Sequence, residues 1–133
     1  MERTQYKNLA LILARDLAEN LATPLFVVDA AGTLVFYNEP AEQILGRRFA
    51  ETGELAAAEW SSLWVPTEVD GTPMQVQDMP IGIALQQRRP AHRSMRITGL
   101  DGVSRLIQVS SFPLLASPTE FSGAVAIFWE EPE

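Results

Sequence analysis

The chain of 133 residues contains no cysteine. Disulfides, thiol nucleophiles and thiolate metal sites are therefore excluded. It has a single histidine, His92. No nucleophile–base pair, metal-ligand triad or phosphate-binding loop can be traced along it. Positive charge is scarce: 10 Lys and Arg stand against 17 Asp and Glu, a net charge of −7. Binding nucleic acid through its phosphates, or an anionic membrane surface, needs a basic face, so both are argued against. Long apolar runs are missing as well. Met1-Glu2-Arg3 opens an amphipathic segment, with neither a signal peptide nor a membrane span behind it. These features lead us to expect a cytoplasmic protein without catalysis.

What is present suits one soluble domain with a real core: 47% of residues are hydrophobic and 20% charged. The most ordered stretch of sequence is Pro24 to Gly46. Leu25 to Val28 is an apolar, β-branched run, the mark of a strand covered on both faces. Ala30-Ala31-Gly32-Thr33 is a turn, and Gly32 can take the positive φ that a hairpin needs. Leu34 to Tyr37 is the return strand. Asn38 is placed to N-cap a helix with Pro40 in its first turn, and Gly46 can close that helix in the left-handed conformation.

Ahead of this, Thr4 to Ala22 predicts a helix that Pro24 ends. Leu9, Leu13, Leu17 and Leu21 recur at i, i+4 spacing beside Ala10, Ala14 and Ala18. A face this wide can touch two surfaces, the protein's own sheet and a second copy. Downstream, Glu54 to Trp64 has helical character, and Trp60 and Trp64 are expected in the core rather than lining a cavity. Asp78 reads as the N-cap of a helix over Pro80 to Gln87. The last third is an antiparallel meander: Ala91 to Thr98, Arg105 to Leu115 and Gly123 to Trp129, with Asp101-Gly102 as a hairpin signal. Pro113 marks a bulge or the end of ladder pairing.

The order Val28-Asp29, Gly32, Asn38, Ala41, Gly46, with Gly123-Ala124-Val125-Ala126-Ile127-Phe128 far downstream, resembles a PAS domain, the sensor and dimerisation module of signalling proteins. The resemblance covers roughly Leu21 to Trp129, with Asp29, Gly32, Asn38 and Gly46 as its motif residues. It implies an α+β fold: a five-stranded antiparallel sheet in the order 2-1-5-4-3, helices on one face, and the N-terminal amphipathic helix over the other. The expected segments are 1–22 (helical lid and dimerisation element), 23–130 (PAS domain) and 131–133 (acidic tail). The Asp-Ile-Thr linker that leads many PAS domains into an effector is missing after Trp129, so a stand-alone domain acting in trans is expected, unless the sequence stops short of one.

Applied to this strand order, period-two alternation puts Phe26, Val28, Leu34, Phe36, Met95, Ile97, Ile107, Val109, Ser111, Ala124, Ala126 and Phe128 on the inward face. All of these but Ala124 are the candidate ligand-cavity residues. Ser111 is the face's only hydroxyl, so it suits a filled core or a small apolar ligand better than a polar cofactor. Haem is disfavoured because His92 lies on an outward strand position. Cysteine-adduct flavin chemistry is excluded with the cysteine. The outward face carries Leu25, Val27, Val35, Tyr37, Val125, Ile127 and Trp129. With the leucine stripe it provides the candidate dimer interface: Leu9, Leu13, Leu17, Leu21, Val27, Val125, Ile127 and Trp129. Asp29, Glu39 and Glu42 read as turn and helix-terminus residues rather than catalytic carboxylates. Arg88, Arg89, Arg93, Arg96 and Arg105 read as a salt-bridged rim. The expected partners are a second copy of the chain, a signalling protein or a small apolar ligand; no metal is expected.

Overall fold

A computed structural model describes residues 2–132, with side chains from Leu9 onward. Met1 and Glu133, the extreme ends of the expected first and last segments, lie outside the described residues. The apolar run Leu25–Asp29 forms β1 and sits inside a five-stranded sheet. Its neighbours are β2 (Leu34–Tyr37) and β5 (Glu120–Glu130), followed by β4 (Ser104–Ser117) and β3 (Ala91–Thr98), in the order β2-β1-β5-β4-β3. All pairs are antiparallel. Residues 25–28 are all buried because helices cover both faces of β1.

The inner face packs against α2 (Glu39–Leu45), α4 (Ala57–Leu63) and α5 (Pro80–Gln87), with a short α3 (Phe49–Thr52) at the side. The expected N-cap of α5 is corrected. Asp78 ends a 3₁₀ turn, Val76–Asp78, and the cap position is Met79, with Pro80 opening the helix. The ladder between β3 and β4 stops at Ala91↔Ser111, whereas that between β4 and β5 runs on to Ser117↔Glu120. Pro113 thus lies beyond the β3 ladder, where a missing N–H is tolerated. Thr67 pairs with Arg96 through two backbone hydrogen bonds of 2.9 Å and covers the free edge of β3.

The outer face is covered by α1 (Glu2–Glu19). The helix ends before Pro24 because its last carbonyls find other donors: Leu21 N–H and Asn38 Nδ2 both donate to Ala18 O. The residues that meet the sheet are Leu11, Ala14, Ala18 and Leu21, against Leu25, Val27, Phe36 and Val125. Small alanines let the helix approach closely. Leu9, Leu13 and Leu17 do not cover the sheet; with Ile12 they are 50–59% exposed.

Two face assignments are overturned. Phe36 was expected inward and Tyr37 outward, yet Phe36 packs under α1 while Tyr37 lies in the inner core. The cause is a register shift in the β1–β2 ladder: Val27 pairs with Phe36, but Val28 pairs with Leu34. The extra residue, Val35, also packs on the outer cluster, so alternation breaks once in the strand.

Candidate functional site

Two features stand out: a cavity beneath the sheet and an apolar ridge along α1. The cavity begins with Phe26 of β1. Trp60 and Trp64, one turn apart on and just after α4, meet its ring edge-on at 5.5 and 6.1 Å. Each indole is held by a hydrogen bond away from the cavity: Trp60 Nε1 donates to Gly32 O at 2.7 Å, and Trp64 Nε1 to Leu45 O at 2.9 Å. Burial without such partners would leave a costly unpaired donor. The space beside these rings is about 80 Å³, and its wall is entirely apolar.

Of the expected cavity residues, Phe26, Met95, Ile97, Ile107, Val109, Ala126 and Phe128 line it. Val28 and Leu34 are buried in the same core without lining it, and Phe36 is on the other side of the sheet. Ser111 is fully buried but outside the wall, and its hydroxyl, like that of Ser122, has no hydrogen-bond partner. The sequence reading missed Leu45, Trp60, Trp64, Pro66, Met79, Pro80 and Ile81 as wall residues. The i, i+4 spacing of the tryptophans marked a buried stripe; only the tertiary packing turned it towards the sheet.

Charged residues bind the loops around this wall. Arg93, on β3 next but one to Met95, pairs with Glu68 and donates to Asp78 O. It thereby ties together the segments carrying Pro66 and Met79. Between Trp64 and Pro66, Val65 has φ +46°, a strained value for a β-branched residue. Arg105 donates to Ile44 O at 3.0 Å near the end of α2 and to Asp101 at 2.9 Å. The Arg105 guanidinium and the Val103 N–H hold the Asp101 carboxyl below its usual range.

The motif residues hold the backbone. Asp29 Oδ1 accepts from the N–H groups of Ala31 and Thr33 at 3.0 Å. Gly32 and Gly46 have φ +89° and +80°. Asn38, 2% exposed, makes four hydrogen bonds. Its Oδ1 accepts from Leu25 N at 2.9 Å and Ala41 N at 3.2 Å. Its Nδ2 donates to Ala18 O and Thr23 O, both at 2.9 Å. One side chain thus joins the end of α1, the start of β1 and the start of α2. Glu42 accepts from Phe49 N at 2.8 Å, a structural use of that carboxylate.

Tyr37 offers a pH test of this packing. Burial pushes its phenol above the ordinary value, only partly offset by the Thr52 hydroxyl. The folded state then holds the phenolic proton more tightly than the unfolded chain does. Its contribution is present below about pH 10, the unfolded value, and is lost as pH rises through the higher folded value. Alkaline ultraviolet titration of the native protein should show a late-ionising tyrosine that is missing in Tyr37→Phe.

The second feature is the exposed edge of α1: Leu9, Ile12, Leu13 and Leu17. Two residues expected at a dimer interface are removed from it. Val27 and Val125 are 0% and 3% exposed because α1 of the same chain lies over them. Leu21 and Ile127 are half-buried against that same outer cluster. Trp129 is 42% exposed, with the exposed His92 ring 6.0 Å away. Among the described residues no helix is long and apolar enough to cross a membrane.

Residues 13–77 match the family model described as "PAS domain". No curated protein matches the sequence. Similar solved structures include the PAS domain of a protein from Colwellia psychrerythraea, at 16% identity and TM-score 0.65, covering 91% of this chain and 96% of that one. The Rhodobacter sphaeroides LOV protein is similar at 12% identity and TM-score 0.68, covering 100% of this chain and 70% of that one. The PAS domain of nitrogen regulation protein NR(II) from Vibrio parahaemolyticus is similar at 12% identity and TM-score 0.62, covering 90% and 98%. At these identities the likeness is one of fold.

Proposed function

Because this chain carries a PAS domain, we propose that it acts as a signal-transduction sensor and protein-interaction module in the cytoplasm, pairing through α1 with a second copy and catalysing nothing. The observation that carries this reading is the two-sided use of α1. Its alanine edge is seated on the sheet, and its leucine edge is left uncovered. Four large aliphatic side chains along one helix edge stabilise an association by about 1.5–3 kcal/mol each when fully buried. Asn38 bonds the base of the same helix to β1 and α2, so a change in the core has a direct route to the interface. A signalling protein is the alternative occupant of that edge. Leu13→Asp or Leu17→Asp should convert dimer to monomer at micromolar concentration, measured by sedimentation or light scattering. Neither residue supports the sheet, so the fold is retained. A mass unchanged by both substitutions removes α1 from the interface.

A second reading has its own observation, the apolar cavity of about 80 Å³. The domain would then sense a small apolar molecule. Haem and flavin fit this reading poorly. The space falls below the ~300 Å³ at which pockets for such molecules begin, and its wall offers no polar partner. His92 is on the outer face beside Trp129, across the sheet from the cavity. The acidic balance of the chain disfavours nucleic acid and anionic membranes as partners.

A further inference from the structure

We propose that an acidic cleft at the junction of α1, α2 and the end of β5 docks a short basic segment of a partner protein, one that carries aliphatic side chains beside its arginines or lysines. This goes beyond the pairing of α1 and uses a different part of the surface. None of Leu9, Ile12, Leu13 and Leu17 lines the cleft.

The cleft is open to solvent and measures about 630 Å³, room for several side chains of a guest. Its elements meet there because Asn38 ties them: to the end of α1 through Ala18 O, to the linker through Thr23 O and to β1 through Leu25 N. Part of its lining is apolar. Ile44 is buried, and Leu21, Pro24 and Pro40 are half-buried. Neither proline has an N–H to offer a guest, so this part of the wall is met by apolar contact. Aliphatic side chains of the guest gain by covering it.

Charge sets the sign of the guest. Glu19, Glu39 and Glu130 line the same cleft, and all three are exposed. Among the described residues of its lining the only cation is Arg105, whose side chain is 15% exposed and already engaged by Asp101 and Ile44 O. Arg105 stands 3.6 Å from Glu130, and Arg15 stands 3.5 Å from Glu19. Both are loose pairs at exposed carboxylates, which a guest cation can join or replace at little cost. Glu39 has no ion pair among the described residues. Nor do three carboxylates among those residues converge as a metal ion would require. The acidic groups are spread along the cleft, which matches several cations on one chain better than a single ion. The net charge of −7 draws a basic segment from a distance and repels an acidic one.

The test is fluorescence anisotropy of labelled, end-blocked hexapeptides titrated with the purified full chain: alternating Arg and Leu, alternating Arg and Gly, and alternating Glu and Leu. The Arg–Leu peptide should bind saturably, with each of the other two at least tenfold weaker. Glu39→Gln combined with Glu130→Gln should weaken it at least fivefold. Glu54→Gln combined with Asp70→Asn removes the same charge outside the cleft and should change the affinity less than twofold. All four positions are exposed and the replacements keep side-chain shape, so both variants retain the fold. No saturable binding of the Arg–Leu peptide overturns the proposal. An Arg–Gly peptide within tenfold of it overturns it as well, since any polycation would then do. So does a Glu–Leu peptide within tenfold, which would remove the charge selection. Equal losses in the two double variants also overturn it, because the attraction would then belong to the protein's overall field and not to the cleft.

Discussion

Asn38→Ala is expected to destabilise the domain by about 3–5 kcal/mol and to detach α1 from the sheet. The side chain is buried and every hydrogen-bonding position it uses faces backbone: two N–H groups on one side, two carbonyls on the other. Loss of an N-cap alone costs about 1 kcal/mol. Here the alanine also leaves Leu25 N–H, Ala18 O and Thr23 O to find new partners in a site that is 2% exposed at Asn38. Each buried group left unpaired adds about 1–3 kcal/mol, less whatever relaxation and water recover. Asn38→Asp should be almost as damaging: a carboxylate keeps the acceptor for Leu25 and Ala41 but turns its second oxygen on two carbonyl oxygens. Urea unfolding gives the stability, and amide exchange along α1 gives the detachment. A loss below about 1.5 kcal/mol, with α1 still protected, would show that Asn38 is only a helix cap.

The second large effect is expected at Gly123. Gly123→Ala should cost about 4 kcal/mol or more, enough to leave the domain largely unfolded. The residue sits in β5 opposite Asp29 with φ +149°, outside the range that side chains adopt. A Cβ would stand 2.1 Å from Val28 O and about 3 Å from the Asp29 backbone. These atoms belong to a strand buried on both faces, so they cannot retreat without opening the β1–β5 ladder. Gly71→Ala separates strain from collision. Its φ of +95° is also unfavourable, but nothing lies within 4 Å of the added atom. It should cost only about 1 kcal/mol. Thermal midpoints of the two variants decide the matter; equal losses would mean that backbone strain alone governs Gly123.

Such close approaches explain why some of this protein could be read from its residues and some could not. The helix from Glu39 to Leu45 was legible because its signals are local: Asn38 as cap, Pro40 in the first turn, Gly46 at the left-handed end. The same is true of α5, whose boundaries Pro80 and Gln87 agree with the sequence expectation. Its cap was misread because Asp78 was taken up by a 3₁₀ turn, and the approach of Gly82 to Val76 O holds that turn against the helix. Phe36 was assigned to the wrong face because one bulge moves two residues, and an insertion in a ladder leaves no mark on a four-residue strand of Leu, Val, Phe and Tyr. Leu9, Leu13 and Leu17 were the conspicuous stripe of α1, yet the contact is made by Ala14 and Ala18 with Leu11 and Leu21 beside them. Hydrophobicity marks which residues avoid water, whereas close helix–sheet packing selects for small ones.

By itself the sequence determined what this chain cannot use and what it must bury. Without cysteine it has no thiol chemistry, its acid excess argues against phosphate-mediated binding, and its doubly apolar first strand required cover on both sides. These follow from composition and period, which are properties of residues and their nearest neighbours. Tertiary structure alone decided that two tryptophans turn their rings to a cavity and their N–H groups away from it. It alone decided that one asparagine joins three elements, and that the leucine edge of α1 remains open. The first two rest on groups 13 to 28 residues apart meeting at hydrogen-bond distance, and no local pattern encodes such a meeting.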